Sequence, residues 1–193
     1  MNKEDKDKIE KKDSKATSSD SSLKEEIIDW IKVIVFAVVA SVALNTFVIV
    51  NAAIPSASME TTIMTGDRIF GNRLAYIKEG PKRGDIVIFK FPDDEKQLFI
   101  KRVIGESGDR VEIKDGKVYI NGSVEALDES AYIAEEPVGD FGPYDVPEGH
   151  YFVMGDNRNH SYDGRFWNNT FVRKDKILGK AMLRYFPRIT KLQ

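Results

Sequence analysis

From Val33 to Val50 the chain reads VIVFAVVASVALNTFVIV, eighteen residues without a charge. No other feature narrows the possible folds as much. With Ile27, Ile28, Trp30 and Ile31 ahead of it, the apolar stretch approaches the ~20 residues that cross a bilayer as a helix. Trp30 and Lys32 stand where an interfacial aromatic and a snorkelling cation anchor a span. Two other readings fit less well. The run exceeds the about 7–15 apolar residues of a secretory signal, and the region before it is long and rich in acids. Asn51, Ala52, Ala53, Ser56 and Ala57 only faintly resemble a cleavage site. A buried core helix is disfavoured because no polar face repeats through the run. The expectation is one uncleaved transmembrane helix over residues 27–50, in contact with the lipid bilayer.

Residues 1–26 are rich in Lys, Asp, Glu and Ser. Such a segment buries too little apolar surface to offset its ordering entropy, so a disordered tail is expected. Lys15, Lys24 and Lys32 precede the span, and within twenty residues after it there is only Arg68. Orientation follows the cations, which favours a cytoplasmic N-terminus and places residues 51–193 outside the cell membrane.

Composition excludes several chemistries. The chain has no cysteine, hence no disulfide, thiolate nucleophile or cysteine metal site. His150 and His160 are ten apart, which matches no helical metal pair, so a metal site is not expected. A net charge of −2 gives no basis for binding nucleic acid. No sequence feature specifies an oligomeric state.

The pattern beyond residue 65 is that of β-structure. GDIVIFKF (84–91) alternates Ile86 and Ile88 against Val87 and Phe89. Residues 97–105, 109–113, 117–120 and 150–155 are short and rich in β-branched and aromatic side chains. Asp115-Gly116 between two such runs signals a tight hairpin. Residues 51–193 are therefore expected to form a mostly β, antiparallel domain, a barrel or folded sheet, behind the single N-terminal helix. Residues 118–157 hold nine acids and no Lys or Arg, together with Pro137, Pro143 and Pro147. This reads as a solvated, irregular excursion, with an acidic recognition surface as its functional alternative.

Three segments are candidates for chemistry. Pro55-Ser56-Ala57-Ser58-Met59 lies just past the span, and from Val50 to Ser58 the chain reaches at most about 28 Å. Chemistry at Ser58 would thus occur near the bilayer surface. Lys101 shares a strand face with Phe99 and Val103, an unusual place for an ammonium. It is either a snorkelling edge residue or a lysine whose pKa is lowered by desolvation, able to act as a base. Residues 155–165, GDNRNHSYDGR, form a polar loop at a strand end. There His160 with Asp156 or Asp163 offers a rival triad for Ser58. On residue types alone, His160 is the easier base at neutral pH.

Taken in order, PSASM, GDRIFGNRLAY (66–76), RGDIVIFKFP (83–92), FIKRVIGESGD (99–109) and GDNRNHSYDGR resemble the boxes of bacterial type I signal peptidases, especially the short Gram-positive form. The resemblance extends from about residue 30 to 185. It implies a membrane-anchored Ser/Lys endopeptidase that removes signal peptides from exported preproteins and needs neither cofactor nor metal. By position, Ser58 is the nucleophile and Lys101 the general base. Ser56 contributes a hydroxyl to the oxyanion hole beside the Ser58 N–H. Ser161 orients the lysine amine, and Asp156, Asp163 and Arg165 brace the site. His160 falls at a position without a catalytic role. The substrate is implied to bind as an extended strand, with small residues one and three positions before the cut. Two positions depart from the family pattern. Thr61 stands where proline is usual, which bears on loop rigidity, and Gly164 replaces a serine beside Asp163.

Overall fold

The computed structural model describes residues 24–192, in two units divided after Asn45. The tail expected over residues 1–26 lies, up to residue 23, outside the described residues. Helix α1 (Lys24–Val48), most of which belongs to the first unit, is the one helix among the described residues long and apolar enough to cross a membrane. Trp30, Phe36, Phe47 and its many β-branched side chains are exposed, with no polar stripe facing a partner. An apolar surface of that kind suits lipid rather than water. The helix stops two residues before the apolar run does. Ile49 opens strand β1 (Ile49–Ala53), and Val50 points into the core of the second unit.

The second unit is built from antiparallel strands. After β1 come β2 (Arg68–Asn72), β3 (Ile86–Phe91), β4 (Asp94–Gly105), β5 (Arg110–Lys114), β6 (Lys117–Ile120), β7 (Phe141–Asp145) and β8 (His150–Met154). Then follow β9 (Val172–Arg173), β10 (Ile177–Phe186) and β11 (Thr190–Lys191). Eight strands form one sheet in the order β1-β2-β10-β3-β4-β8-β9, with β11 beside β10; β6-β5-β7 form a second. The hairpin expected at Asp115-Gly116 is present. Both residues have positive φ, 50° and 73°, and Lys114 pairs with Lys117 across the turn.

The unbroken apolar run of β3 is explained by burial on both faces. Ile86 and Ile88 join a cluster with Val50, Ile54, Met59, Ile63 and Ile100. Val87, Phe89 and Phe91 join another with Val103, Val153 and Trp167. A third cluster, around Ile104, Val111 and Phe152, joins the two sheets. The expected excursion at 118–157 is only partly irregular. β7 arises within it and pairs with β5, and Glu129 is buried.

Two strand edges matter for the site. β4 pairs with β3 from Asp94 to Arg102, but with β8 only from Arg102 to Gly105. Its other edge, residues 95–101, carries no strand among the described residues. β1 pairs with β2 alone.

Candidate active site

Ser58 sits on a loop whose ends are tied together. Ile54 N donates to Asp67 O at 3.0 Å, and Gly66 N donates to Ile54 O at 2.8 Å. Met59 and Ile63 are fully buried beneath it. Thr62 donates to Asp156 Oδ2 at 2.6 Å. The loop is therefore pinned on both flanks of Ser58, with Thr61 at the position where proline was expected.

Lys101 is delivered by β4. It pairs with Val87 of β3 and shares its face with Phe99 and Val103, as strand alternation requires. Its Nζ donates to Ser58 Oγ at 2.5 Å. Lys101 is 3 % exposed and Ser58 7 %. Burial pulls the lysine pKa down to about 8, against the pull of the Asp163 and Asp156 carboxylates. An ammonium loses more by leaving water than those two acids restore. Ser56 Oγ lies 3.4 Å from Ser58 Oγ, on an exposed residue.

The loop after β8 supplies the remaining polar groups. Asp156 is paired bidentately with Arg102, at 2.8 and 2.7 Å. Asp163 accepts from Gly155 N at 3.0 Å and from Arg165 Nε and Nη2 at 2.8 and 2.9 Å. Arg165 Nη2 also donates to Arg158 O at 2.7 Å. Ser161 is brought beside Gly155, but its Oγ is buried without a hydrogen-bond partner among the described residues. The bond expected from Ser161 to the lysine amine is not formed here. Lys101 Nζ donates to Ser58 instead. Gly164, the second departure from the family pattern, has no room for a side chain: a Cβ there would meet Thr170 O at 2.9 Å.

The triad alternative does not assemble. The His160 ring is exposed and makes no hydrogen bond among the described residues. Both carboxylates proposed as its partner are committed to arginines. Sequence reading missed Arg102, Thr62, Asn157 and Arg158. Arg102 carried a usable signal, since an arginine next to Lys101 between the apolar pairs Phe99-Ile100 and Val103-Ile104 needs a buried acid. Asn157 N and Nδ2 donate to Ser58 O and Ala57 O at 3.2 and 3.1 Å, which nothing in the sequence foretells.

Beside the pair runs a groove of about 410 Å³. Asn51 to Ser58 form one wall and Leu98 to Lys101 the other, with Ile88, His160 and Tyr162 completing it. It lies between the edge strand β1 and the free edge of β4.

The geometry is that of a serine held against a buried amine beside an open strand edge, an arrangement suited to peptide-bond chemistry. Residues 27–186 match the family described as signal peptidase, peptidase S26. The chain is 43 % identical over 161 residues to a probable signal peptidase I-2 of Synechocystis, covering 81 % of this chain and 72 % of that protein. It is 37 % identical over 171 residues to signal peptidase I P of Bacillus subtilis subsp. natto, covering 85 % and 91 %. A crystal structure of a signal peptidase I from Enterococcus faecalis V583 is 34 % identical, covering 53 % of this chain and 97 % of that one at a TM-score of 0.44. The chain belongs to the signal peptidase family, peptidase S26.

Proposed function

We propose that this protein is a membrane-anchored endopeptidase that removes N-terminal signal peptides from exported preproteins, with Ser58 as nucleophile and Lys101 as general base. The observation that carries this reading is the contact of 2.5 Å between Lys101 Nζ and Ser58 Oγ, at a lysine whose pKa burial has brought to about 8. An ordinary lysine, near 10.4, is almost wholly protonated at neutral pH and accepts nothing. A lysine near 8 has a usable neutral fraction, and its lone pair then faces the Ser58 hydroxyl.

Ser58 Oγ attacks the scissile carbonyl as its proton passes to Lys101. The carbon–oxygen double bond becomes an oxyanion, stabilised by the Ser58 N–H and the Ser56 hydroxyl. Lys101 then gives its proton to the departing amine, the carbon–nitrogen bond breaks, and an ester to Ser58 remains. Water, deprotonated by the same amine, attacks that ester. Ser58 recovers its proton and the signal peptide leaves with a new carboxylate. Asp156, Asp163 and Arg165 hold the loops and take no proton.

The free edge of β4 and the groove beside it favour a substrate bound as an added strand. Side chains of such a strand point alternately into the groove, which fits small residues one and three positions before the cut. α1 would anchor the chain, with the cations before it keeping the N-terminus cytoplasmic and residues 51–193 outside. The test is cleavage of a preprotein by the detergent-solubilised wild type, Ser58→Ala and His160→Ala. The expected result is a mature-sized product from the first and third only; product from a folded Ser58→Ala protein overturns the assignment.

A further inference from the structure

The excursion after β6 is not merely solvated. Its turn Glu129–Ile133, where Tyr132 N and Ile133 N both donate to Glu129 O at 3.1 Å, reaches back to Arg158 in the loop after β8. Glu129 meets Arg158 bidentately, through Nη1 to Oε2 at 2.6 Å and Nη2 to Oε1 at 2.5 Å. The third face of that guanidinium, Nε, donates to Gly155 O at 3.0 Å. The Tyr132 hydroxyl donates to Glu129 Oε1 at 2.9 Å. Burial and the facing carboxylate push the phenol pKa up, so it remains a donor. Its ring covers the Arg102 guanidinium at 3.9 Å from the centroid and lies 5.9 Å from that of Arg158. One turn thus touches two of the arginines that organise the loop after β8, Arg102 and Arg158. Farther along, Val138 N donates to Asn159 Oδ1 at 3.1 Å and Asn159 Nδ2 donates to Glu136 O at 3.2 Å.

These contacts converge on the nucleophile. Gly155 packs so tightly on Ser58 O and Ser161 Oγ that a Cβ there would collide with both. Asn157 N donates to Ser58 O. Arg102 holds Asp156, which holds Thr62 on the Ser58 loop. A buried ion pair such as Glu129–Arg158 gives little net stability over an apolar pair of the same volume, so its value lies in fixing geometry. A planar guanidinium with two bonds to one carboxylate leaves its third donor a single direction, toward the Gly155 carbonyl.

We propose that the Glu129–Tyr132 turn is a positioning strap, which sets the loop 155–160 and through it the Ser58 backbone. The proposal rests on the signal-peptidase reading above. Neither residue lines the groove beside Ser58.

The test is steady-state cleavage of a preprotein by the full-length chain in detergent. The variants are Glu129→Gln, Tyr132→Leu and Tyr132→Phe, with Glu135→Gln, exposed on the same excursion, as control. Because small displacements of reacting groups are costly, Glu129→Gln and Tyr132→Leu should lose about tenfold or more in kcat. KM should stay within about twofold, since the groove is untouched. Tyr132→Phe keeps the ring over Arg102 and should retain most of kcat, and Glu135→Gln all of it. Wild-type kcat in folded Glu129→Gln and Tyr132→Leu proteins overturns the strap. So does a loss that merely tracks the fraction unfolded at the assay temperature, or one that Tyr132→Phe reproduces in full. A wild-type chain that leaves the preprotein uncut sinks the signal-peptidase reading itself, whereas a cutting wild type with indifferent variants sinks only the strap.

Discussion

Arg102 follows Lys101 directly in β4, yet its guanidinium turns to the other face and closes a bidentate pair with Asp156, with neither side chain more than 3 % exposed. Asp156 is thus bound to the strand that carries Lys101 and, through Thr62, to the loop that carries Ser58. Asp156→Asn should cost about 3–5 kcal/mol, because it removes the carboxylate that pairs bidentately with the buried Arg102 guanidinium. For a domain of this size, the thermal midpoint should fall on the order of 10 °C. The Asp156 carboxylate also raises the Lys101 pKa, so the variant's activity should extend to lower pH even as its stability drops. An unchanged melting curve with an unchanged acid limb would show that the pair is dispensable.

Ser58 carries little of the fold, since among the described residues its side chain bonds only to Lys101 and Ser56. Ser58→Ala should therefore melt close to wild type and show no cleavage. Ser56→Ala should lower kcat by about 10²–10³-fold, the usual cost of one oxyanion donor. Ser56 is exposed beside Ser58, so KM should change little. Wild-type kcat in Ser56→Ala would remove it from the oxyanion hole.

The elements legible in the sequence were those whose side chains alternate under a simple rule. β3, β4, β5, β6 and β8 show as β-branched runs, and the Asp115-Gly116 turn shows because only special residues take positive φ. β10 did not show. Its ILGKAMLRYF mixes helix-favouring residues with a glycine, and its pairings with β2 and β3 are interrupted by register shifts. Yet it lies between those strands and joins the sheet, which is a tertiary preference no local pattern encodes. At the site, the odd position of Lys101 was visible from Phe99 and Val103 on the same face. That this lysine meets Ser58, 43 residues away, was not. Residue types favoured His160, and only the resemblance set it aside; in the structure both nearby acids are already held by arginines. Burial of Glu129 within an acidic, proline-containing stretch was hidden because its partner, Arg158, lies 29 residues further on.

Gly155 offers a sharper test of packing than of chemistry. Its φ is ordinary, so alanine brings no backbone strain, only a methyl group directed at Ser58 O and Ser161 Oγ. Neither neighbour can yield easily, as Ser58 O accepts from Asn157 and Ser161 is buried. Gly155→Ala should cost about 1–3 kcal/mol by overpacking. It should also lower kcat by more than its stability loss explains, because the group displaced is the carbonyl of Ser58, the proposed nucleophile. Gly122, on the exposed turn after β6, has no atom near a would-be Cβ but a positive φ of 72°. Gly122→Ala should destabilise through backbone strain while leaving kcat intact. Equal kcat losses in the two variants would contradict the packing argument.

The base is tested by substitution and by pH together. Lys101→Ala should be inactive, and Lys101→Arg nearly so, because a guanidinium keeps the charge but cannot release its proton in a protein. His160→Ala should keep most of its activity, with at most a change in KM from its place on the groove wall. With Lys101 as the proposed base, activity requires a neutral amine, so kcat/KM should fall about tenfold per unit as pH drops below the Lys101 pKa of about 8. Phe99→Ser should move that limb to higher pH, and the sign rests on two opposing effects. The ring desolvates the amine, which favours the neutral form, but it also lies 5.6 Å from Nζ, where its π-face favours the ammonium. Desolvation is the larger influence on this lysine, and the ring contact is near the ~6 Å limit at which cation–π attraction matters. Loss of the ring should therefore rehydrate the amine and raise its pKa. Phe99 also stacks on Phe91 at 4.3 Å, so the variant should be less stable and is best assayed well below its melting temperature. A limb that moved to lower pH would mean that the ring's attraction outweighs its shielding. An active Lys101→Ala protein beside an inactive His160→Ala one would return the base to the histidine.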